Sequence, residues 1–200
     1  TGKKQKMSKS LGNFAITHEL LKKYPKEVLR FYLLSGYYRS PLDFNEKILQ
    51  QSEAGIQRIS EFVYKLNLTT GNGGDPAGSD WAEEATEKFR TAMNDDFNTP
   101  QALAAIFELI RNSNFFVTHD FLNKDGVEKI KEFIKKADAV LGIIPSKQEK
   151  IPDKVTELVE TREKLREEKN WQEADKTRAQ IEDLGYKVED TVYGPLTVKK

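Results

Sequence analysis

The sequence predicts a mainly α-helical protein that ends in a small unit of two helices and a β-hairpin. Apolar residues recur at helical spacing through most of the chain, between polar faces that bring the charged residues to 32% of the total. Beyond Gly185 the apolar residues instead flank a turn at residues 193–195, as in a hairpin. We therefore expect an antiparallel helical bundle followed by a small α+β unit.

Caps, prolines and glycines divide the first half of the chain into elements. A short helix capped by Thr17 is expected to end at Tyr24, and a second helix is expected over residues 25–36. A long amphipathic helix follows over residues 45–67. Residues 69–79 contain four Gly and one Pro, so we expect them to form a loop.

Further helices complete the predicted bundle. One is expected over residues 80–94. Thr99 and Pro100 begin the next, with Thr99 as the cap and Pro100 at the first helical position. Another is expected over residues 124–141, where Gly142 ends it. A polar linker then leads to the last unit.

These elements suggest three domains. Residues 1–44 form an N-terminal loop and connecting helices, residues 45–145 the helical bundle, and residues 151–200 the C-terminal unit. The boundary near residue 150 lies in a polar stretch between two prolines, where chain segments commonly join domains.

Composition excludes several kinds of site and partner. Because the chain has no cysteine, neither a disulfide nor a Cys-ligated zinc can form within it. The only histidines, His18 and His119, are far apart in sequence, so we expect no metal site. No apolar run is long enough to cross a bilayer and no signal peptide is evident, so we expect a cytoplasmic protein without a membrane partner. A formal net charge of zero argues against bulk coating of nucleic acid, but not against a local basic patch.

A segment rich in lysine and serine near the N-terminus is the first candidate for chemistry. Lysines on a mobile loop can stabilise the negative charge that develops on transferring phosphates, and short side chains let the backbone approach them. A basic disordered terminus is the alternative interpretation. Leu-Gly-Asn and an expected helix follow the segment, and this order resembles that of a known family of ATP-using enzymes. The segment reads Lys6, Met7, Ser8, Lys9 and Ser10.

This pentapeptide is similar to the KMSKS motif of class I aminoacyl-tRNA synthetases. The resemblance implies that Lys6 and Lys9 are catalytic and that Lys9 is the main contact to the phosphates of ATP, which binds with Mg²⁺. Met7, Ser8 and Ser10 complete the ATP-binding residues that it implies.

Beyond residue 10 the chain resembles the cysteinyl-tRNA synthetases along nearly its whole length. Residues 29–42, which include Gly-Tyr-Tyr-Arg-Ser, look like the region of that family that contacts the tRNA stem. Residues 94–103, Asn-Asp-Asp-Phe-Asn-Thr-Pro-Gln-Ala-Leu, resemble a motif of its helical bundle, and as residues alone they predict an Asx turn before a capped helix. We expect a set of basic residues to contact the tRNA backbone, and the alternative is that they are simply solvated. These residues are Lys22, Lys23, Lys26, Arg30 and Arg39.

The C-terminal unit resembles the part of that family that reads the anticodon. The resemblance implies that Arg166, Trp171, Asp175 and Asp190 recognise the GCA anticodon. The residue types suit that role, since unpaired bases are read by aromatic stacking and by hydrogen bonds to their edges. Each residue also has a structural alternative: Trp171 as a hydrophobic anchor, Asp175 in a surface pair with Arg178, Asp190 at the end of a hairpin, and Arg166 as a solvated residue.

The resemblance implies that the full-length enzyme ligates cysteine to tRNA(Cys) with ATP, and we expect a monomer. The family's Rossmann domain and its zinc ligands would lie upstream of Thr1, so we expect these 200 residues alone neither to activate cysteine nor to bind zinc. Two alternatives stay open. One is the related ligase that couples cysteine to an amino-sugar in mycothiol synthesis, which needs no anticodon domain. The other is a non-catalytic helical RNA-binding module.

Overall fold

A computed structural model of the chain describes residues 17–145 and 151–199. Within these ranges eight α-helices are followed by one two-stranded antiparallel sheet, which confirms the mainly α prediction and the C-terminal hairpin. The elements are α1 (Thr17–Lys23), α2 (Lys26–Ser35), α3 (Glu46–Leu68), α4 (Ala77–Asn94), α5 (Thr99–Thr118), α6 (Lys124–Leu141), α7 (Asp153–Glu167), α8 (Trp171–Asp183), β1 (Tyr186–Thr191) and β2 (Gly194–Lys199).

Helices α2 to α6 share one apolar core, and we call them the bundle. Phe62 of α3, Ile110 of α5 and Ile130 of α6 are almost fully buried in it. Val28 and Phe31 of α2 belong to the same core, and the Phe31 ring packs edge-on against a phenylalanine of α5. Helix α2 therefore depends for its burial on helices that follow the proposed domain boundary at residue 44, and that boundary stays a proposal.

The glycine-rich loop between α3 and α4 is fixed by the loop between α5 and α6. Asp120 has a φ of 54°, in the left-handed region that residues other than glycine seldom adopt. Its carboxylate accepts hydrogen bonds from the backbone N–H groups of Thr70 and Gly71. The predicted loop is also shorter than expected, because α4 begins at Ala77, whose N–H is capped by the Asp75 side chain.

The cap of α5 differs by one residue from the prediction. Asn98, not Thr99, is the N-cap, and its side chain accepts a hydrogen bond from the Gln101 N–H at 3.3 Å. The Thr99 hydroxyl instead donates to the Leu34 carbonyl at 2.7 Å. Thr99 thus joins the start of α5 to the end of α2, a long-range contact that a local capping rule does not predict.

Residues 151–199, which we call the C-terminal unit, have a separate apolar core. It contains Val155 and Val159 of α7, Ile181 of α8 and Val188 of β1. In the hairpin Val188 is opposite Thr197 and Asp190 is opposite Pro195. Successive side chains of a strand point to opposite faces, so Val188 and Asp190 face α7 and α8 while Glu189, between them, faces away.

Candidate nucleic-acid interface

Three elements of the C-terminal unit bring Arg166, Trp171 and Asp190 together. Arg166 is on the last turn of α7, Trp171 begins α8 and Asp190 is near the end of β1. The Arg166 guanidinium lies 3.3 Å from the Asp190 carboxylate, and its central carbon is 5.7 Å from the centroid of the Trp171 ring. The guanidinium is therefore between a carboxylate and an indole ring, in the range of a cation–π contact.

Arg162 is a member of this cluster that the sequence did not single out. It precedes Arg166 by one helical turn on α7, and its side chain is only 2% exposed. Two parallel hydrogen bonds join its Nη1 and Nη2 to the two carboxylate oxygens of Asp190, at 2.8 and 3.0 Å. Its Nη1 also donates to Glu163 at 2.6 Å. The four-residue spacing from Arg166 was the available signal.

Asp190 is ionised because its neighbours favour its charge. Hydrogen bonds from Arg162 hold the pKa of the Asp190 carboxyl below its ordinary value, and the positive charges of Arg162, Arg166 and Arg178 lower it further. Asp190 therefore orients two arginines, one buried and one partly exposed. Its position at the hairpin end and its place beside Arg166 are both observed.

The lowered pKa of Asp190 makes the C-terminal unit sensitive to acid. The folded state holds the carboxylate proton less tightly than the unfolded state, whose pKa is about 3.9. The stabilisation is therefore full above that value and is lost as the pH falls through the lower pKa of the folded state. We expect urea unfolding to show that the free energy of unfolding of the native chain exceeds that of Asp190→Asn by an amount that is constant above about pH 5 and shrinks below about pH 4. A gap that stays unchanged down to about pH 2 would contradict this role for the carboxylate.

Trp171 is exposed, although it is the largest apolar side chain of the C-terminal unit. The turn before it contains Lys169 with a φ of 59° and Asn170, whose side chain caps α8. Trp171 follows as the first residue of the helix, with 55% of its surface exposed and outside the apolar core. Its position does not support the hydrophobic-anchor alternative, and its ring is available to a flat ligand.

Asp175 lies one helical turn beyond Trp171 and is also exposed. The surface pair with Arg178 that was the alternative does not form, since the Arg178 Nε lies 3.4 Å from Glu182. Asp175 has no hydrogen-bond or ion-pair partner among residues 17–145 and 151–199. Its oxygens are therefore open to a donor from outside the chain.

A second polar cluster joins the two motifs at residues 36–40 and 94–98. The Tyr37 and Tyr38 hydroxyls donate to the two Asp96 oxygens at 2.6 and 2.8 Å, and the Arg39 Nε lies 2.8 Å from the same carboxylate. Those hydrogen bonds lower the pKa of the Asp96 carboxyl, and the one from Tyr37 contributes most. Arg39 stays 64% exposed in spite of this pairing, so it can still reach a phosphate.

The other basic candidates are placed differently from one another. Lys22 forms an exposed ion pair with Glu19 at 2.8 Å, while the neighbouring Lys23 has no partner in the described part of the chain. The Arg30 guanidinium donates to the carbonyl of Leu141 at the end of α6, so it contributes to the fold of the bundle. Residues 6–10 lie outside the described residues.

Neither a membrane span nor a metal cluster is found in the described part of the chain. No helix within residues 17–145 and 151–199 is long and apolar enough to cross a bilayer. Across the same residues no group of three or more His, Cys, Asp or Glu side chains could hold a metal ion.

Known proteins match the chain along most of its length. Residues 1–54 match the family model of the class I (C) tRNA synthetase catalytic domain, residues 88–145 the DALR domain, and residues 148–192 the cysteinyl-tRNA ligase anticodon binding domain. The cysteine–tRNA ligase of Caldicellulosiruptor saccharolyticus is 37% identical over 95% of the chain. The chain belongs to the cysteine–tRNA ligase family. Further relatives of the same name are those of Oenococcus oeni, 38% identical over 95% of the chain, and of Thermococcus onnurineus, 36% identical over 96%.

The chain spans 42% of the length of the cysteine–tRNA ligases of C. saccharolyticus and O. oeni, and 43% of that of T. onnurineus. All members of the cluster around Asp190 lie within the residues that match the family's anticodon binding domain. The match to the catalytic domain includes residues 6–10 and continues through α1 and α2 into α3.

Proposed function

We propose that this chain supplies the KMSKS loop and the tRNA-binding part of a cysteine–tRNA ligase, which joins cysteine to tRNA(Cys) with ATP. The observation that supports it is the surface of α7, α8 and β1. It presents an exposed indole, an unpaired carboxylate and an oriented guanidinium within the region that matches an anticodon binding domain. Unpaired bases are recognised by this combination of a stacking ring with hydrogen-bonding groups.

Each residue of this surface has a distinct role in the proposal. Trp171 stacks on one anticodon base, and its ring accepts any base because every base has an aromatic face. Asp175 accepts hydrogen bonds from amino or imino groups, and Arg166 donates to carbonyl oxygens or ring nitrogens. Asp190 orients Arg166 and, at its exposed edge, can accept from a base as well.

The remaining roles rest on sequence. Lys6 and Lys9 stabilise the phosphates of ATP and its Mg²⁺ complex during cysteine activation, with Met7, Ser8 and Ser10 lining the same loop. Arg39, Lys22 and Lys23 contact tRNA phosphates away from the anticodon. We also propose a monomeric, cytoplasmic enzyme.

Binding of transcribed tRNAs to the chain tests the proposal. We expect a tRNA with a GCA anticodon to bind about tenfold more tightly than the same tRNA with one anticodon base replaced, since about one hydrogen bond to a charged group is lost. A tRNA in which one anticodon-stem pair is inverted is the matched control and should bind as tightly as the unchanged tRNA. Equal binding of all anticodons would favour the non-catalytic RNA-binding module, and no binding would favour the amino-sugar ligase.

A further inference from the structure

The C-terminal unit meets the bundle through two ion pairs between α3 and β1. Lys65 Nζ lies 2.7 Å from Glu189, and Lys187 Nζ lies 3.2 Å from Glu61. We call these four residues the α3–β1 contact. The side chain of Lys65 is only 4% exposed, so its ammonium group has lost nearly all contact with water. Asn114 of α5 gives Lys65 a second, longer contact at 3.4 Å.

The geometry of the two elements sets the spacing of these pairs. Glu61 and Lys65 are four residues apart on a helix, a rise of about 6 Å. Lys187 and Glu189 are two residues apart on a strand, a rise of about 6.7 Å. The two pairs can therefore form side by side, as they do here. A shift of β1 by two residues would bring Glu189 beside Glu61, so the alternation of charge selects one register.

Apolar packing does not hold the hairpin in its register on the bundle. The core of the bundle and the core of the C-terminal unit are separate clusters in the described residues. A groove of about 550 Å³ lies beside the ion pairs and is lined by all four residues of the α3–β1 contact. Apart from these pairs, Tyr193 of the hairpin turn donates to the Val117 carbonyl at 3.2 Å. The orientation of the hairpin on the bundle is thus determined mainly by polar contacts.

Strand β1 connects this contact directly to the four proposed anticodon-reading residues Arg166, Trp171, Asp175 and Asp190, which we call the anticodon surface. Glu189 and Asp190 are consecutive, so their side chains point to opposite faces of the strand. Glu189 reaches Lys65 of the bundle, and Asp190 reaches Arg162 and Arg166 of the candidate site. A change in the register of β1 on α3 would therefore move Asp190 relative to the rest of the tRNA-binding face.

We propose that the α3–β1 contact positions the anticodon surface relative to the bundle, with Lys65, Glu189, Glu61 and Lys187 as positioning residues. The proposal rests on the proposed function. A tRNA that touches both the bundle and the C-terminal unit is bound tightly only if the two surfaces are presented at a fixed distance and angle. Fixing them in advance lowers the cost of binding, because less ordering is needed when the RNA arrives.

Reversal of the more exposed pair tests the proposal, since Lys65 is buried and its variants can fail to fold. We compare Glu61→Lys, Lys187→Glu and the double variant by affinity for the GCA tRNA and by hydrogen exchange of the β1 amides without RNA. Each single reversal places like charges together. We expect about fivefold weaker tRNA binding and faster exchange of β1, with both restored to within about twofold in the double variant. Glu83→Lys, which breaks an exposed pair within the bundle, is the matched control and should change neither.

The two proposals fail in different ways. If the unaltered chain does not prefer the GCA tRNA, the proposed function fails, while the exchange of β1 still reports on the contact itself. If the unaltered chain prefers the GCA tRNA and the single reversals keep full affinity, the positioning role is overturned. Weaker binding that the double variant does not restore also overturns it, because the loss would then come from the individual residues and not from their pairing.

Discussion

Replacing Asp190 with alanine is expected to lower the free energy of unfolding of the C-terminal unit by about 3 kcal/mol. The reason is Arg162, whose buried guanidinium would lose both hydrogen bonds to its carboxylate partner. Leaving a buried charge without its partner costs about 3–5 kcal/mol, and the 46% exposure of the Asp190 side chain and the remaining contact of Arg162 to Glu163 place this case at the lower end. A unit of this size has only about 2–7 kcal/mol of stability, so this loss would be a large fraction of it.

Hydrogen exchange resolved by segment measures this loss where it occurs. Amides of α7 and β1 are expected to exchange faster in Asp190→Ala, while those of α4 to α6 keep their rates, because the two cores are separate. Asp183→Ala is the matched control, since Asp183 is an exposed carboxylate at the end of α8, and such changes usually cost less than about 0.5 kcal/mol. Equal exchange in Asp190→Ala and Asp183→Ala would show that Arg162 does not need its partner.

Trp171→Ala is expected to weaken binding of the GCA tRNA by about 5- to 150-fold. This range corresponds to the loss of one stacked base, which costs about 1–3 kcal/mol. Stability should hardly change, because the Trp171 side chain is 55% exposed and outside the apolar core. Filter binding gives the affinity, and thermal unfolding by circular dichroism confirms that the fold is retained.

The control for Trp171 is Phe115 of α5, an aromatic residue of the bundle with 58% exposure. Phe115→Ala removes a similar exposed ring outside the C-terminal unit, and tRNA binding should be unchanged. If Trp171→Ala binds the GCA tRNA as tightly as Phe115→Ala does, stacking on Trp171 is not part of recognition. If it keeps its affinity for a tRNA with a replaced anticodon but loses it for GCA, Trp171 contributes to discrimination as well as to affinity.

Local sequence signals predicted the helices, and the predictions fail where a residue contacts another that is distant in sequence. Helix α6 has the predicted bounds, because Asn123 caps its start and Gly142, at a φ of 59°, ends it. Thr99 was predicted as a cap and instead bonds to Leu34, 65 residues earlier. The loop before α4 was predicted from its glycines, but its attachment to Asp120 depends on a contact that no local pattern shows.

The candidate site was predictable in part for a similar reason. Resemblance pointed to Arg166, Trp171, Asp175 and Asp190, and the structure brings the first, second and fourth into contact. Arg162 was missed because a charged residue on a polar helix is expected to be solvated, and its burial follows only from how β1 packs on α7. Their roles in RNA binding remain predictions.

Charge pairing on the proposed anticodon surface affects how RNA binding would respond to ionic strength. Two arginines there, Arg162 and Arg166, are paired with the carboxylates of Glu163 and Asp190, so this cluster offers little net positive charge to the RNA backbone. Few condensed counterions would leave the RNA when this surface binds it, and the logarithm of affinity should change little with the logarithm of salt concentration. A steep slope would have to come from lysines and arginines elsewhere, which separates the reading of bases from the attraction of phosphates.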